Sequence, residues 1–365
     1  TLALKFAPAI KELEGLGYPG ISDPKLTITT KVMTSETLKH DSAVQYALSK
    51  TDNTLKLPEK YNGLGYQNLI SMVFDLMGFR DDWMREGKAK DTNTVIEPMH
   101  LVLVEEPEAH LHIQVQQVFI RQAYKVLTNH KFLKQNLNFT TQLVISTHSS
   151  HIAIETTFGN LRYFKRLPEG TECAVATSKV INLSDVFGDS DQTNKFVTRY
   201  LQSTHCDLFF ADAAILVEGV AESMLLPHFI RSKFPELYQR YITILGVNGR
   251  HAHRLSPLIE KLCLPTLVIT DLDPAEKEGY HKSVVPKRGE GQISGNYAIA
   301  KWLMKEKDID KLVDYSEDKK EFSFASPYRF SIRLAYQTPV KVDFEGEEKE
   351  AIPGTLSLIH ISEPT

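Results

Sequence analysis

Four carboxylates in the second half of the chain follow short apolar runs. Glu218 and Glu222 follow one run, and Asp271 and Asp273 follow another. Because the carboxyl ends of parallel strands meet at one edge of a sheet, we expect these side chains to converge. So much negative charge is costly unless cations neutralise it, and carboxylate oxygens suit Mg²⁺ or Mn²⁺. The pattern predicts a metal site for phosphodiester chemistry, with Glu218 and Asp271 as catalytic residues.

A second set of candidate residues lies in the first half of the chain. Glu105 and Glu106 end an apolar run, and His148 stands just past the next apolar run. Glu105 is placed to hold Mg²⁺ through water, Glu106 to polarise an attacking water, and His148 to contact a γ-phosphate. Taken singly, the acids are equally well explained as a strand cap and the histidine as structural.

A glycine-containing turn at 62–66 precedes a predicted helix, in which Leu69, Val73 and Leu76 share one face. Asn62, Gly63, Gly65 and Gln67 lie in this turn or at the start of the helix. Backbone N–H groups at a helix N-terminus favour phosphate, so these residues are candidates for ATP binding. A simple turn explains the same glycines.

Strands that alternate with helices must position both sets of residues. This alternation predicts an α/β chain with parallel sheets. The predicted strands cover 101–104, 143–145, 214–217, 242–245 and 266–269, and the predicted helices cover 114–127, 221–233 and 254–263. Strand 101–104 is of the type buried on both faces. The stretch to about residue 60 is expected to form short strands and turns, and 80–98 a surface loop.

Composition excludes several classes of protein. The chain has 365 residues, of which 42% are hydrophobic and 24% charged, and its net charge is −4. No apolar run is long enough to span a bilayer. Three widely separated cysteines, Cys173, Cys206 and Cys263, disfavour a disulfide framework and fit a cytoplasmic protein. Because the net charge is negative, binding of DNA would require a local basic patch.

One such patch follows the second acidic set. Lys282, Lys287 and Arg288 stand close together in a glycine-containing segment, and Ser294 follows it. Lysine and arginine side chains of this kind grip DNA phosphates. A solvated charged loop is the alternative.

Together these motifs resemble those of the OLD (overcoming lysogenisation defect) family, which joins an ABC-type ATPase to a Toprim nuclease domain. The run from Asn62 to Asn68 is similar to the signature loop. Residues 101–106 are similar to Walker B, 107–112 to the segment after it, and 146–149 to the switch-histidine loop. Residues 216–222, Leu-Val-Glu-Gly-x-x-Glu, resemble the Toprim opening. Residues 294–303 resemble the Ser-x-Asn…Trp-Leu element, in which Asn296 caps a helix and Ser294 lies near the metals.

The resemblance implies an ATP-dependent DNA endonuclease that uses Mg²⁺ or Mn²⁺ and serves in DNA processing or anti-phage defence. It also implies a homodimer, since the signature loop of one protomer faces nucleotide held by the other, and in some members a UvrD-like helicase partner. Two alternatives stay open. One is a non-catalytic, nucleotide-regulated module that binds DNA or drives assembly, and the other is a primase- or topoisomerase-like Toprim protein.

Two departures from the family pattern set the expected domain limits. No G-x-x-x-x-G-K-[ST] run occurs in the chain, and the resemblance ends near Gly354. We therefore expect a chain truncated at both ends and inactive by itself, with a degenerate ATPase as the alternative. The expected divisions are part of the ATPase domain (1–182), a helical linker (183–211), an incomplete Toprim domain (212–354) and an artefactual tail (355–365).

Overall fold

The computed structural model describes most of the chain, and the fold is α/β as predicted. The described residues are 2–15, 25–31, 41–47, 56–58, 61, 63–86, 95–136, 138–167, 175–184, 186, 200–201, 207–247, 251–277, 284–303, 305–325, 329–344 and 347–353. They form two compact units, Thr1–Glu155 and Thr156–Thr365. In these ranges, no helix has the length and apolar character needed to cross a bilayer.

The first unit combines five helices with two small sheets in its described residues. In chain order the elements are α1 (Leu2–Gly15), β1 (Lys25–Lys31), β2 (Asp41–Ala47), β3 (Lys56–Pro58), α2 (Leu64–Trp83), β4 (Met99–Glu105), α3 (Ile113–Thr128), α4 (Lys131–Gln135), β5 (Thr140–Ser146) and α5 (Ser150–Ile154). Strands β1, β2 and β3 pair antiparallel. Strands β4 and β5 pair parallel, with Glu105 opposite Ser146, so their carboxyl ends lie side by side.

The core of the first unit forms where the apolar faces of α2 and α3 meet. On α2, Leu69, Val73 and Leu76 are buried, as their helical spacing predicts. Phe119 and Val126 of α3 pack into the same cluster. This packing helps to fix the start of α2, where the candidate nucleotide residues Gly63, Gly65 and Gln67 lie.

Three expectations for the first unit are wrong. Helix α1 occupies part of the stretch expected to form strands and turns; Ala9 and Leu13, four residues apart, are buried on one face of it, and Pro8 obscures that pattern. Helix α2 continues to Trp83, into the expected loop. Strand β4 is buried on one face only, because within the described residues it pairs with β5 alone, and Leu103 is 66% exposed.

The second unit is built on a five-stranded sheet. Its elements are β6 (Arg162–Leu167), β7 (Thr177–Asn182), β8 (Ala213–Val217), α6 (Val220–Lys233), α7 (Pro235–Tyr238), β9 (Ile242–Gly246), α8 (Ser256–Leu262), β10 (Thr266–Ile269), β11 (Pro274–Ala275), β12 (Ile293–Ser294), α9 (Tyr297–Trp302), α10 (Ile309–Val313), β13 (Glu321–Phe324), β14 (Phe330–Ala335), β15 (Val340–Phe344) and β16 (Glu347–Ala351). The strand order is β13-β14-β10-β8-β9. Strands β14, β10, β8 and β9 are parallel and β13 is antiparallel to β14.

The central strands of this sheet are covered on both sides. Leu216 of β8 and Val268 of β10 are fully buried. The central strands are therefore buried in the sheet, as their continuous apolar runs predict. The three predicted strands of this half all form, within a residue or two of their expected ends.

The division between the two units differs from the expected domain limits. The β6–β7 hairpin lies in the second compact unit, whereas the sequence places it in the ATPase part. Most of the expected linker, 183–211, lies outside the described residues. The functional domain limits therefore stay a prediction.

Candidate functional site

Three of the four predicted metal carboxylates stand at one edge of the second-unit sheet. Glu218 directly follows β8, and Asp271 and Asp273 follow the neighbouring strand β10. The two strands are parallel and in register, with Val217 opposite Ile269. Their ends therefore deliver the acids to the same edge, as the sequence predicts.

A single buried amide links the ends of these two strands. The Nδ2 atom of Asn296 lies 2.8 Å from Glu218 Oε1, 2.9 Å from Thr270 Oγ1, 3.0 Å from the Asp271 carbonyl oxygen and 3.1 Å from Asp273 Oδ2. The Thr270 hydroxyl also donates to Glu218 Oε1. Asn296 is 1% exposed. Its role as a helix cap was predicted and is confirmed, but its position between the acids was not predicted.

A second buried amide holds Asp271. Gln337, which follows β14, donates from Nε2 to Asp271 Oδ1 over 2.8 Å and accepts from the Leu272 N–H over 2.7 Å. Because β14 neighbours β10 in the sheet, its end reaches the same edge. Sequence reasoning assigned Gln337 no role, because 66 residues separate it from Asp271 in the chain.

The electrostatics of Glu218 reflect crowding by apolar surroundings and by other acids. Burial raises the pKa of Glu218, and the nearby charges of Asp273 and Asp271 raise it further. The hydrogen bonds from Thr270 and Asn296 favour the charged carboxylate and oppose this rise. The direction of the net shift shows that the charged form of Glu218 is costly in the absence of a cation.

Glu222 is positioned by a helix rather than by a strand end. It lies in the first turn of α6, and its Oε2 atom is buried with no hydrogen-bond partner. The carboxylate folds back over Gly219, where a Cβ would overlap Oε2. Glycine at position 219 therefore permits the observed placement of Glu222.

The site fits a hard cation in the chemistry of its donors but is not a complete metal cage. Among the described residues, no three Asp, Glu, His or Cys side chains converge closely enough to form a metal-binding group. Glu218 and Asp273 nevertheless place oxygens within 3.1 Å of one nitrogen atom, and Glu222 retains a buried oxygen without a partner. Carboxylate oxygens of this kind favour Mg²⁺ or Mn²⁺. A site that joins all four carboxylates stays a prediction.

The predicted DNA-contacting residues differ in exposure. Lys287 and Arg288 are exposed, but Arg288 Nη1 pairs with Asp314 Oδ1 at 2.8 Å. Ser294 is buried, and its Oγ accepts from the Asn296 N–H over 3.2 Å. Ser294 therefore contacts the backbone of Asn296, whose side chain contacts the acids. Lys282 lies outside the described residues.

In the first unit, the predicted nucleotide residues meet where β4 and β5 end. His148 Nε2 lies 3.3 Å from Glu106 Oε1, and both side chains are largely exposed. The Glu106 N–H donates to the Ser146 carbonyl over 2.9 Å, which ties the two loops together. Glu105, the last residue of β4, is also exposed. The arrangement leaves these groups accessible to a ligand.

Glu108 holds the loop that carries His148, a role that sequence reasoning did not assign. Its Oε1 accepts from Thr147 Oγ1 over 2.8 Å and from the His148 N–H over 2.6 Å. On the other side of the loop, Ser149 Oγ donates to Gln116 Oε1 of α3 over 2.7 Å. The histidine loop is therefore anchored through its backbone and its neighbours, while the imidazole itself stays exposed.

The glycine-containing turn packs against the segment after β4. Gly63 precedes α2, and Gln67 lies in its first turn. A Cβ at Gly65 would lie 2.5 Å from the His110 carbonyl oxygen, and Asn68 Nδ2 donates to the Ala109 carbonyl over 2.7 Å. This close approach brings the helix start beside the candidate carboxylates. Asn62 lies outside the described residues.

Comparisons with known proteins agree with both halves of this description. Residues 4–153 match the family model described as AAA ATPase domain, and residues 209–273 match "Overcoming lysogenization defect protein-like, TOPRIM domain". Endonuclease GajA of Bacillus cereus strain HuB5-5 is 30% identical over 315 residues, which cover 82% of this chain and 42% of that protein. Endonuclease GajA of strain VD045 is 24% identical over 220 residues, which cover 60% of this chain and 33% of that protein.

The chain spans less than half the length of these relatives. Its two matches occur in the predicted order, ATPase first and Toprim second. The chain therefore carries an AAA-type ATPase domain followed by an OLD-like Toprim domain, the two domains that its resemblance to the OLD family predicts.

Proposed function

We propose that the chain is the ATPase and Toprim part of a DNA endonuclease that depends on ATP and on Mg²⁺ or Mn²⁺. The observation that carries this proposal is the placement of the Glu218 and Asp273 carboxylates and the Asp271 carbonyl oxygen around the buried amide nitrogen of Asn296, at one edge of the sheet. The names of the GajA relatives and the Toprim match support the same chemistry. Hydrolysis of a DNA phosphodiester is the reaction that such an acidic edge serves.

In this proposal the acidic edge binds the cations and orients the attacking water. Glu218, Glu222, Asp271 and Asp273 hold the metals, which activate water and stabilise the leaving oxygen when bound. Gln337 keeps Asp271 turned toward the edge through its bond to Oδ1. Lys287 contributes positive charge for the DNA backbone.

The ATPase half regulates cleavage in this proposal. Glu105 holds Mg²⁺, Glu106 orients the hydrolytic water, and His148 contacts the γ-phosphate, since these groups surround the ends of β4 and β5. The helix start at Gly63 and Gly65 faces nucleotide bound by a second copy of the chain. The protein accordingly acts as a homodimer.

The same proposal covers the biological setting. An ATP-dependent endonuclease of this family serves in cytoplasmic DNA processing or anti-phage defence. A UvrD-like helicase is a candidate partner, since it would supply unwound DNA to the nuclease.

Plasmid cleavage tests the proposed function. Supercoiled plasmid is incubated with the protein expressed from its own gene, with Mg²⁺ or Mn²⁺, with and without ATP. We expect metal-dependent nicking or linearisation that Asp271→Ala abolishes. Asp318→Ala, which removes an exposed acid of the second unit, serves as the matched control and should cleave normally. Equal cleavage by Asp271→Ala would move the active site elsewhere, and DNA binding without any cleavage would favour the non-catalytic alternative.

A further inference from the structure

The side chain of Asn296 performs two tasks at its two ends. Its Oδ1 atom accepts from the Ala298 N–H over 2.8 Å and the Ile299 N–H over 3.4 Å and so caps helix α9. Backbone N–H groups can bond only to the oxygen of the amide, which settles the orientation of the group. The nitrogen must therefore face the acids.

The nitrogen end lies among more oxygen acceptors than it has hydrogens. Nδ2 carries two hydrogens, and four oxygens lie within 3.1 Å of it, from Glu218, Thr270, Asp271 and Asp273. These oxygens come from the ends of two different strands, β8 and β10. One rigidly held donor thus sets the spacing between the strand ends and offsets part of the repulsion between their carboxylates.

We propose that Asn296 is a positioning residue for the cation site: its amide holds Glu218 and Asp273 through one oxygen each, in the arrangement that binds a divalent cation. This inference rests on the proposed function, because the cation is part of that function. Metal-ligating carboxylates are commonly held by such hydrogen-bonded neighbours, and removal of one typically costs 10- to 100-fold in metal affinity.

The requirement for two opposite hydrogen-bonding groups explains why asparagine occupies this position. Serine, aspartate and asparagine cap helices about equally well. Only asparagine among them also presents N–H donors to neighbouring carboxylates. A pure helix cap would tolerate serine, whereas the proposed role does not.

The experiment measures Mn²⁺ binding by calorimetry to the purified chain, as wild type and as Asn296→Ser. Serine keeps the cap but loses the donor, so we expect unfolding near the wild-type temperature in EDTA and Mn²⁺ affinity about 10-fold weaker. Asp308 caps helix α10 through Oδ1, which accepts from the Asp310 N–H, so Asp308→Ser is the matched control for a helix cap and should bind Mn²⁺ normally. Thr270→Val removes a hydroxyl that bonds Glu218 without touching the cap. Thr270→Val should also weaken Mn²⁺ binding, because the same hydroxyl accepts from the Asn296 amide. This variant tests the hydrogen-bonded network if Asn296→Ser does not fold.

The outcomes separate this inference from the proposed function. Wild-type affinity in Asn296→Ser, together with lost binding in Asp271→Ala, would show that Asn296 is only a helix cap. Tighter binding by Asn296→Ser would show that the amide competes with the cation, which also overturns the inference. No Mn²⁺ binding by the wild-type chain, or equal binding by Asp271→Ala, would overturn the cation site itself and the positioning role with it.

Discussion

Replacement of Gly65 by alanine tests the packing that brings the start of α2 beside the candidate nucleotide site. The new Cβ would lie 2.5 Å from the His110 carbonyl oxygen, whereas an ordinary contact begins at 3.4 Å, so something must move by about 0.9 Å. The obstacle is backbone, and the adjoining Ala109 carbonyl is bonded to Asn68 of the same helix. His110 already has a φ of +62°. The segment therefore has little freedom to retreat.

The cost follows from comparing overpacking with helix propensity. Overpacking of a close-packed site typically costs about 1–3 kcal/mol. Alanine in place of glycine inside a helix stabilises the helix by about 1 kcal/mol. We therefore expect Gly65→Ala to lower the free energy of unfolding of the first unit by up to about 2 kcal/mol.

Thermal unfolding followed by circular dichroism, with Gly78→Ala as the control, measures this effect. Gly78 lies in the same helix and a Cβ there meets nothing within 4 Å, so Gly78→Ala should stabilise the protein by about 0.5–1 kcal/mol. For a unit of this size, 1 kcal/mol shifts the midpoint by about 2–4 °C. The two variants should therefore move the midpoint in opposite directions. Equal stabilisation by both would refute the close approach of α2 to the segment after β4.

Three further predictions concern the two sites. Glu108→Ala should speed amide hydrogen exchange at His148 by about 10-fold or more, since it removes a charge-assisted bond worth about 1.5–3 kcal/mol, and unchanged exchange would show that the loop is held elsewhere. Burial raises the pKa of Glu218 in the folded protein above its ordinary value of about 4.5. Ionisation of this carboxyl therefore lowers the stability of the fold as the pH rises above that value. In EDTA, Glu218→Gln should therefore melt above wild type at pH 7, with the difference vanishing below pH ~4, and a lower melting point at pH 7 would contradict this. Gly219→Ala should displace Glu222 and weaken Mn²⁺ binding without a large loss of stability, because the obstacle is a side chain; unchanged binding would exclude Glu222 from the site.

The positions of the strand-end acids could be predicted from sequence because each apolar run and the acid after it lie within a few residues of one another. Apolar runs mark the ends of β8 and β10; Glu218 follows the first run directly, and Asp271 follows the second after Thr270. Parallel pairing then brings the ends together without further information. The helical spacing on α3 was equally readable, and the helix forms at Ile113–Thr128.

The supports of the site could not be predicted, because they act across long stretches of chain. Asn296 and Glu218 are 78 residues apart, and Gln337 and Asp271 are 66 apart. A Ser-x-Asn pattern shows the cap but not where the other end of the amide points. The exposure of Leu103 was missed for a related reason, since an apolar run does not reveal how many strands flank it.

The site of cation binding is the most direct test of the central claim, that the acids after β8 and β10 form one catalytic metal site. Anomalous scattering from crystals soaked in Mn²⁺ locates the ion without reliance on activity. The account predicts Mn²⁺ at the carboxyl edge of the second-unit sheet, contacting Glu218 and at least one of Asp271 and Asp273. Mn²⁺ bound only elsewhere, or no bound Mn²⁺ at millimolar concentration, would contradict it.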